Sequence, residues 1–293
     1  MKSSSLRCLG LALGLTATLA FAQQPADDLK FPEKPSEFSF FSRPQMSLYK
    51  PEGAGPFPAL VLVHQCGGLG SGRFQNESML GWAKEAVARG YVALLVDSLG
   101  PRGVDTVCYG AKAGVNFPRG VKDSLQAAEH LQKFDFVDKK RIALAGFSWG
   151  AMVGVLASSA GTSSSLLPST RFSAVVSFYP GCLTGKSPNG NAFEFVRPDI
   201  DRPLLVLMGE LDNETPAEEC VAKLSPLKAA GAPVEWHVYP QTTHCWDCKN
   251  LDGVSKTDVR GNRVTYRFNK EVTDDSARRA FQFLSAANRT VRF

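Results

Sequence analysis

The stretch that decides the fold is Arg141-Ile142-Ala143-Leu144-Ala145-Gly146-Phe147-Ser148-Trp149-Gly150. Its first five residues form an apolar run typical of a buried strand, and residues 151–159 continue as a helical segment. A serine at such a strand-to-helix turn has a strained backbone, and flanking glycines avoid clashes with the strand and the helix. The pattern predicts that Ser148 is a nucleophile projecting above a sheet edge. A chance G-x-S-x-G match is the alternative, although the motif occurs only once.

Apolar runs alternate with amphipathic runs along most of the chain, which predicts an α/β fold with a mostly parallel central sheet and helices on both faces. We predict strands at 46–49, 59–63, 91–96, 141–145, 174–178, 204–208 and 234–239. We predict helices at 79–89, 120–134, 151–159, 217–230 and 274–287, the last capped by Thr273. Segments 162–165 and 183–201 are interpreted as surface loops.

The first 44 residues divide into two segments of different composition, 1–22 and 23–44. Residues 1–22 resemble a signal peptide, with Lys2 and Arg7 before an apolar run and cleavage expected after Ala22. The apolar run, at 9–21, is shorter than the roughly 20 residues of a membrane span. Residues 23–44 hold four prolines and are predicted to form an extended lead-in to a single domain at 45–293. The sequence therefore predicts a periplasmic or secreted protein without a membrane span.

Charge and cysteine content further narrow the class of protein. The formal net charge is +5, and removing the leader with Lys2 and Arg7 lowers it to +3, which is too mild to indicate a nucleic-acid partner. Removing the leader also takes Cys8 and leaves six of the seven cysteines. An even number in an exported chain favours disulfides, although sequence alone leaves 15 pairings open. Nothing in the sequence indicates an oligomeric state.

A serine hydroxyl needs a histidine to accept its proton, and the chain has four histidines. His64 ends a predicted strand, His130 lies in a predicted helix and His237 lies within a strand, so we expect structural roles for them. His244 comes five residues after a strand, in a polar loop on the same edge as Ser148. We therefore predict that His244 is the general base.

The acid that orients this histidine is expected after another strand, between the serine and the histidine in the chain. The strand at 204–208 is followed by Gly209-Glu210-Leu211-Asp212, which carries two carboxylates. Asp212 is the preferred acid because its distance from the strand end is typical of such loops. Glu210 is the alternative.

A tetrahedral intermediate also needs hydrogen-bond donors for its oxyanion. The backbone N–H of Trp149, directly after the nucleophile, should be one donor. The second is expected from His64-Gln65-Cys66-Gly67-Gly68, with Cys66 preferred over Gln65. Gln65, Arg102 and Arg119 are the candidates for binding substrate, and Lys112 lies in the same region. The two arginines could hold a carboxylate, or could simply be solvated surface groups.

Several rival functions fit parts of the sequence. The cluster His244-Cys245-Trp246-Asp247-Cys248 could be a metal site or a redox-active C-x-x-C pair. We see no second ligand pair for zinc, and the C-x-x-C lies in a late loop instead of at a helix start, so no metal site is predicted. A non-catalytic binding protein that retains the fold is a third alternative. A serine peptidase of the same fold is a fourth.

Six stretches together resemble the dienelactone hydrolase family, which has the α/β-hydrolase fold. They are His64 to Gly68, Asp97 to Gly103, Gly146 to Gly150, Phe178-Tyr179-Pro180-Gly181, Gly209 to Asp212, and Tyr239 to His244. The likeness covers most of the chain after the leader. It implies hydrolysis of a small-molecule ester, lactone or related acyl bond through an acyl-enzyme, without metal or organic cofactor.

The chain departs from the best-known members of this family in two ways. Those members use cysteine as nucleophile and carry a glutamate in the first catalytic loop, where this chain has Ser148 and Gln65. A general esterase is therefore favoured over an enzyme for dienelactone itself. Cys66 and Cys108 follow strands that are commonly adjacent in this fold, and Cys182 and Cys220 lie on neighbouring segments that could be bridged. Cys245 and Cys248 then remain and could pair with each other.

Overall fold

A seven-stranded sheet forms the centre of the structure, a computed structural model that describes residues 26–70, 75–186 and 192–290. The signal peptide expected at 1–22 lies outside these described residues. The strands of the sheet are β1 (Ser47–Tyr49), β2 (Phe57–Val63), β3 (Val92–Val96), β4 (Val137–Phe147), β5 (Val175–Phe178), β8 (Leu204–Gly209) and β9 (Val234–Tyr239). Their spatial order is β1-β3-β2-β4-β5-β8-β9, and only β1 pairs antiparallel with its neighbour. Every strand predicted from the sequence is present, and the mostly parallel sheet is confirmed.

Helices cover both faces of this sheet, as predicted. They are α1 (Glu77–Ala88), α2 (Phe117–Leu131), α3 (Trp149–Ala157), α4 (Ala160–Leu166), α5 (Ala217–Ala229) and α6 (Lys270–Thr290). Successive strand residues point to opposite faces. Val61 and Val63 therefore pack in one core with α2, α3 and α5, while Leu60 and Leu62 pack in a second core with α1 and α6. None of these helices combines the length and apolar character that a membrane span requires.

The structure corrects three details of the predicted elements. The segment 162–165 belongs to helix α4, capped by the Ser159 hydroxyl, which accepts the N–H of Thr162 at 3.1 Å. The interpreted loop 183–201 contains two antiparallel paired strands, β6 (Thr184–Lys186) and β7 (Ala192–Glu194). Helix α6 begins at Lys270, and the Asn269 side chain accepts the N–H of Val272 at 3.1 Å, so Thr273 lies inside the helix and does not cap it. The sequences of α4, of β6 and β7, and of the start of α6 are serine-rich, short or polar, so they show no hydrophobic periodicity that would have predicted these elements.

All three cysteine pairs that the fold brings together are disulfide-bonded. They are Cys66–Cys108, Cys182–Cys220 and Cys245–Cys248. The first joins the loops after β2 and β3, and the second joins the loop after β5 to α5. The third closes a short loop after β9. All three therefore lie near the carboxyl edge of the sheet, where the loops after parallel strands gather.

The two arginines proposed for substrate binding instead fasten the lead-in to the domain. Arg102 donates to both carboxylate oxygens of Asp123, at 2.7 and 2.8 Å, and Arg119 Nε donates to the same carboxylate at 2.8 Å. The Asp123 side chain is fully buried. Arg102 also binds the backbone carbonyl of Asp27, and Arg119 binds Asp28 at 2.8 Å. Helix α2 and the lead-in therefore engage both guanidinium groups, and these contacts give no support to the predicted role in binding substrate.

Asp123→Asn should destabilise the protein strongly, because it leaves two buried guanidinium groups without their shared charge. Breaking a buried ion pair from one side typically costs about 3–5 kcal/mol. Urea unfolding with the disulfides kept oxidised measures the change. Asp105→Asn is the matched control, since Asp105 pairs with Lys112 in full solvent and its loss should have no measurable effect. Equal effects of the two variants would contradict the structural role of Asp123.

Candidate active site

The turn between β4 and α3 holds Ser148 at a positive φ of 51°, a strained backbone conformation that L side chains rarely adopt. A side chain at either flanking glycine would be excluded: a Cβ at Gly146 would lie 2.0 Å from the Gly150 carbonyl oxygen, and one at Gly150 would lie 2.3 Å from that of Val63. The Ser148 N–H donates to the Phe178 carbonyl at 2.9 Å, which ties the turn to the end of β5. Backbone sterics and these bonds therefore fix the serine at the carboxyl edge of the sheet.

His244 lies between Ser148 and Asp212, as the sequence predicts. Its Nε2 is 3.0 Å from the Ser148 Oγ, and its Nδ1 is 2.7 Å from Asp212 Oδ2. A carboxylate only accepts hydrogen bonds, so Nδ1 carries the proton and Nε2 accepts from the serine hydroxyl. All three side chains are buried. This is the arrangement in which a histidine can take a proton from a serine.

Asp212 is held by the loop that follows β8. Its Oδ1 accepts the N–H groups of Glu214 and Thr215 at 3.0 and 2.9 Å, and the Thr215 hydroxyl is 2.8 Å from Oδ2. The alternative acid, Glu210, is exposed and accepts the N–H of Gln241 at 2.9 Å. The structure therefore brings Asp212 to the histidine and leaves Glu210 at the surface.

Negative charge around His244 outweighs the effect of its burial. Burial alone would lower the pKa of this imidazole, but the carboxylates of Asp212 and Glu214 raise it above its ordinary value of 6.5. Glu214 was not predicted from the sequence, yet its Oε2 lies 3.9 Å from His244 Nε2. The only sequence signal for it was its position two residues after Asp212.

The loop after β2 contributes Gln65 and Cys66 to the cavity beside Ser148. The Gln65 side chain is itself engaged, donating to the Tyr179 hydroxyl at 3.1 Å and accepting from Asn76. His64 is fully buried, and its Nε2 accepts the Ser98 N–H at 3.1 Å while Nδ1 lies 2.6 Å from the Gln65 carbonyl. Burial lowers the pKa of His64, which keeps it neutral. The expected structural role of His64 is thus confirmed.

The cavity at Ser148 has a volume of about 200 Å³. Its walls include the disulfides Cys66–Cys108 and Cys245–Cys248. Lys256 and Tyr266, from the hairpin of β10 (Ser255–Thr257) and β11 (Arg263–Thr265) and the residue after it, close one side. Neither Arg102 nor Arg119 lines this space. A small ligand can therefore reach both Ser148 and His244 from one cavity.

Asp247, which sequence reasoning considered only as part of a metal cluster, is a buried carboxylate behind the site. It accepts the Tyr179 hydroxyl at 2.7 Å and the Trp82 indole N–H at 2.8 Å. Burial raises its pKa above the ordinary value, against the effect of these two hydrogen bonds. The Tyr179 ring lies edge-on to His244, with centroids 4.7 Å apart. Asp247 thus braces the residues against which the histidine packs.

The rival metal and redox interpretations concern the same loop. Cys245, Asp247 and Cys248 lie together, but the two sulfur atoms are joined in a disulfide and are not available as thiolate ligands. All three residues are buried, with the disulfide facing the cavity at Ser148. The loop therefore serves as a wall of the cavity and a support for His244.

Three features define this structure as an α/β hydrolase. They are the strained serine turn, the mostly parallel sheet, and the histidine-bearing loop at the carboxyl edge of that sheet. Comparison with protein-family models gives the family: residues 45–287 match the dienelactone hydrolase family. The chain belongs to this family, as the motifs in its sequence indicate.

Individual relatives agree with this assignment. A candidate carboxymethylenebutenolidase of Escherichia coli O157:H7 is 25% identical over 218 residues, covering 71% of this chain and 72% of the relative. A candidate dienelactone hydrolase from Klebsiella pneumoniae shares the fold with a TM-score of 0.59 at 19% identity, over 82% of this chain and 92% of the other. The butyrate-bound esterase Est2 of Thermogutta terrifontis gives 0.60 at 16% identity, over 82% and 88%. Est2 has also been solved phosphorylated by paraoxon.

Gly146→Ala should prevent the turn from forming, because the new methyl group would overlap the Gly150 carbonyl. We expect a loss of soluble folded protein or a destabilisation of several kcal/mol, as for other severe overpacking. Gly81→Ala is the control: it lies within α1, its new Cβ would meet no atom within 4 Å beyond its neighbours and the backbone of its own helix, and it should stabilise by about 0.5–1 kcal/mol. Thermal unfolding followed by circular dichroism compares them. A stable Gly146→Ala protein would contradict the described turn.

Proposed function

We propose that this protein is a serine hydrolase that cleaves an ester, lactone or related acyl bond of a small molecule. Ser148 is the nucleophile, His244 the general base and Asp212 the acid that orients it. The observation that carries the proposal is the single imidazole within hydrogen-bond distance of both the Ser148 hydroxyl and the Asp212 carboxylate. Membership of a hydrolase family supports it.

In this mechanism His244 Nε2 takes the Ser148 proton as the serine oxygen attacks the acyl carbon. The negative oxygen that forms is held by the backbone N–H groups of Trp149 and Cys66. Trp149 is the first residue of α3, so its N–H has no partner one turn earlier in the helix. The leaving group takes the proton from His244, and water then releases the acyl group from Ser148 by the same steps in reverse.

The size of the cavity supports a short acyl group. About 200 Å³ is available beside Ser148, and two disulfides in its lining limit the movement of the loops that form it. The Est2 esterase that shares this fold was solved with butyrate. Carboxylate recognition by Arg102 and Arg119 is not part of the proposal, since both arginines bind Asp123.

Export to the periplasm or the cell exterior completes the proposal. The sequence of residues 1–22 has the pattern of a signal peptide. Three disulfides support it, because such bonds persist in oxidising compartments and are rare in the cytosol.

A fluorophosphonate probe should label Ser148, and Ser148→Ala should lose both the label and hydrolysis. We expect kcat/KM for p-nitrophenyl acetate to fall by about three orders of magnitude or more. Peptide mass spectrometry locates the label. Ser165→Ala, at an exposed serine of α4, is the control and should keep full activity. Labelling at another serine, or an active Ser148→Ala protein, would contradict the proposed nucleophile.

Hydrolysis of p-nitrophenyl esters should fall with acyl chain length. Acetate and butyrate should fit the cavity, whereas decanoate would overpack it, which typically costs at least about 1 kcal/mol or roughly a five- to tenfold loss in kcat/KM. A series from acetate to decanoate, with peptide p-nitroanilides alongside, measures this. A preference for decanoate would exclude the short-acyl assignment, and efficient peptide cleavage would favour the peptidase alternative.

A further inference from the structure

Glu214 places a second carboxylate beside His244, on the side opposite Asp212. Asp212 contacts the histidine at Nδ1, while Glu214 Oε2 lies 3.9 Å from Nε2, the nitrogen that faces Ser148. The Glu214 side chain is only 15% exposed. A carboxylate at this position faces the nitrogen that becomes positively charged when the serine loses its proton.

Both oxygens of Glu214 already have donors. Lys256 Nζ donates to Oε1 at 2.7 Å, and the Tyr266 hydroxyl donates to Oε2 at 3.0 Å. Burial alone would raise the pKa of Glu214, but the charges of His244 and Lys256 lower it, so the group is ionised at neutral pH. Because its oxygens are occupied and its negative charge is retained, Glu214 is suited to act through its field instead of by accepting the serine proton.

The position of Glu214 is fixed by the β10–β11 hairpin. Asn213 Nδ2 donates to the Arg263 carbonyl at 2.9 Å, which ties the Asp212 loop to β11. Arg260 pairs with Glu219 at the start of α5 and fastens the tip of the same hairpin. The hairpin thus holds Lys256 and Tyr266 against Glu214, and it has no evident part in the central sheet.

We propose that Glu214 is a second carboxylate of the site that acts through His244, stabilising the imidazolium ion formed as Ser148 attacks. This inference rests on the proposed function. The groups that face His244 are Asp212 and Glu214 from the loop after β8, Tyr179 after β5, Asp247 from its own loop, and Lys256 and Tyr266 from the hairpin. Glu214 adds negative charge to this set, and Lys256 opposes it.

The test is the pH dependence of kcat/KM with p-nitrophenyl acetate. His244 must be neutral to act as a base, so activity is lost as the pH falls through its raised pKa. Glu214→Gln should move this acid limb down by about one pH unit, because an opposite charge at this range shifts a pKa by about that much. Activity above the limb should fall by up to about tenfold, the factor that one pKa unit represents.

Two variants of the hairpin separate charge from structure. Lys256→Met removes a positive charge and should move the acid limb to higher pH, the opposite direction to Glu214→Gln. Tyr266→Phe removes a hydrogen bond to the same carboxylate without changing charge, and should leave the limb nearly in place. Limbs that all move in one direction, or do not move, would overturn the proposal even if each variant lost activity.

A direct titration makes the result independent of turnover. The Cε1–H resonance of His244, identified by its loss in His244→Gln, reports the pKa of the imidazole by NMR. We expect a lower value in Glu214→Gln than in the wild type. If neither the resonance nor the limb shifts while Ser148→Ala is inactive, the role of Glu214 is excluded and the proposed function stands. If Ser148→Ala remains active, the proposed function itself fails.

Discussion

The strained, positive-φ backbone of Ser148 is the constraint on which the rest of the site depends. It exists because Gly146 and Gly150 let a strand and a helix approach within distances that a Cβ would close. The same approach brings Gly150 against β2, where its N–H donates to the His64 carbonyl at 3.1 Å. The turn therefore positions the serine and also the start of the loop that carries Cys66. One steric requirement sets the relation between two parts of the site that are far apart in sequence.

Buried polar groups align the other loops with this turn. The Tyr179 hydroxyl connects Gln65 to Asp247, so the loops after β2, β5 and β9 share one chain of hydrogen bonds. Burying a carboxylate such as Asp247 is costly unless it is well bonded, and here each oxygen has a donor. Such networks specify one arrangement, because any displacement leaves a buried group unsatisfied. The histidine packs against this network through the ring of Tyr179.

Periodicity and local motifs predicted most of the fold, and the order of elements predicted that Ser148, Asp212 and His244 would meet. These features depend on short stretches of sequence, such as the glycines around Ser148 and the carboxylates after β8. The partners of charged side chains were harder to predict from the sequence. Arg102 and Arg119 were expected at the site, but their partner Asp123 lies on a helix whose burial depends on tertiary packing. Glu214, in turn, gains its place only because a distant hairpin folds over it, which no local pattern encodes.

The two disulfides in the cavity wall have a consequence for how a substrate is received. Cys66–Cys108 and Cys245–Cys248 both line the space in front of Ser148 and link the backbone of the loops that form it. Loops joined covalently lose little conformational entropy when a small molecule binds between them. Little of the binding free energy of that molecule is therefore offset by ordering the loops. The protein thus loses this conformational entropy once, during oxidative folding. Each substrate that binds later enters a cavity that is already shaped.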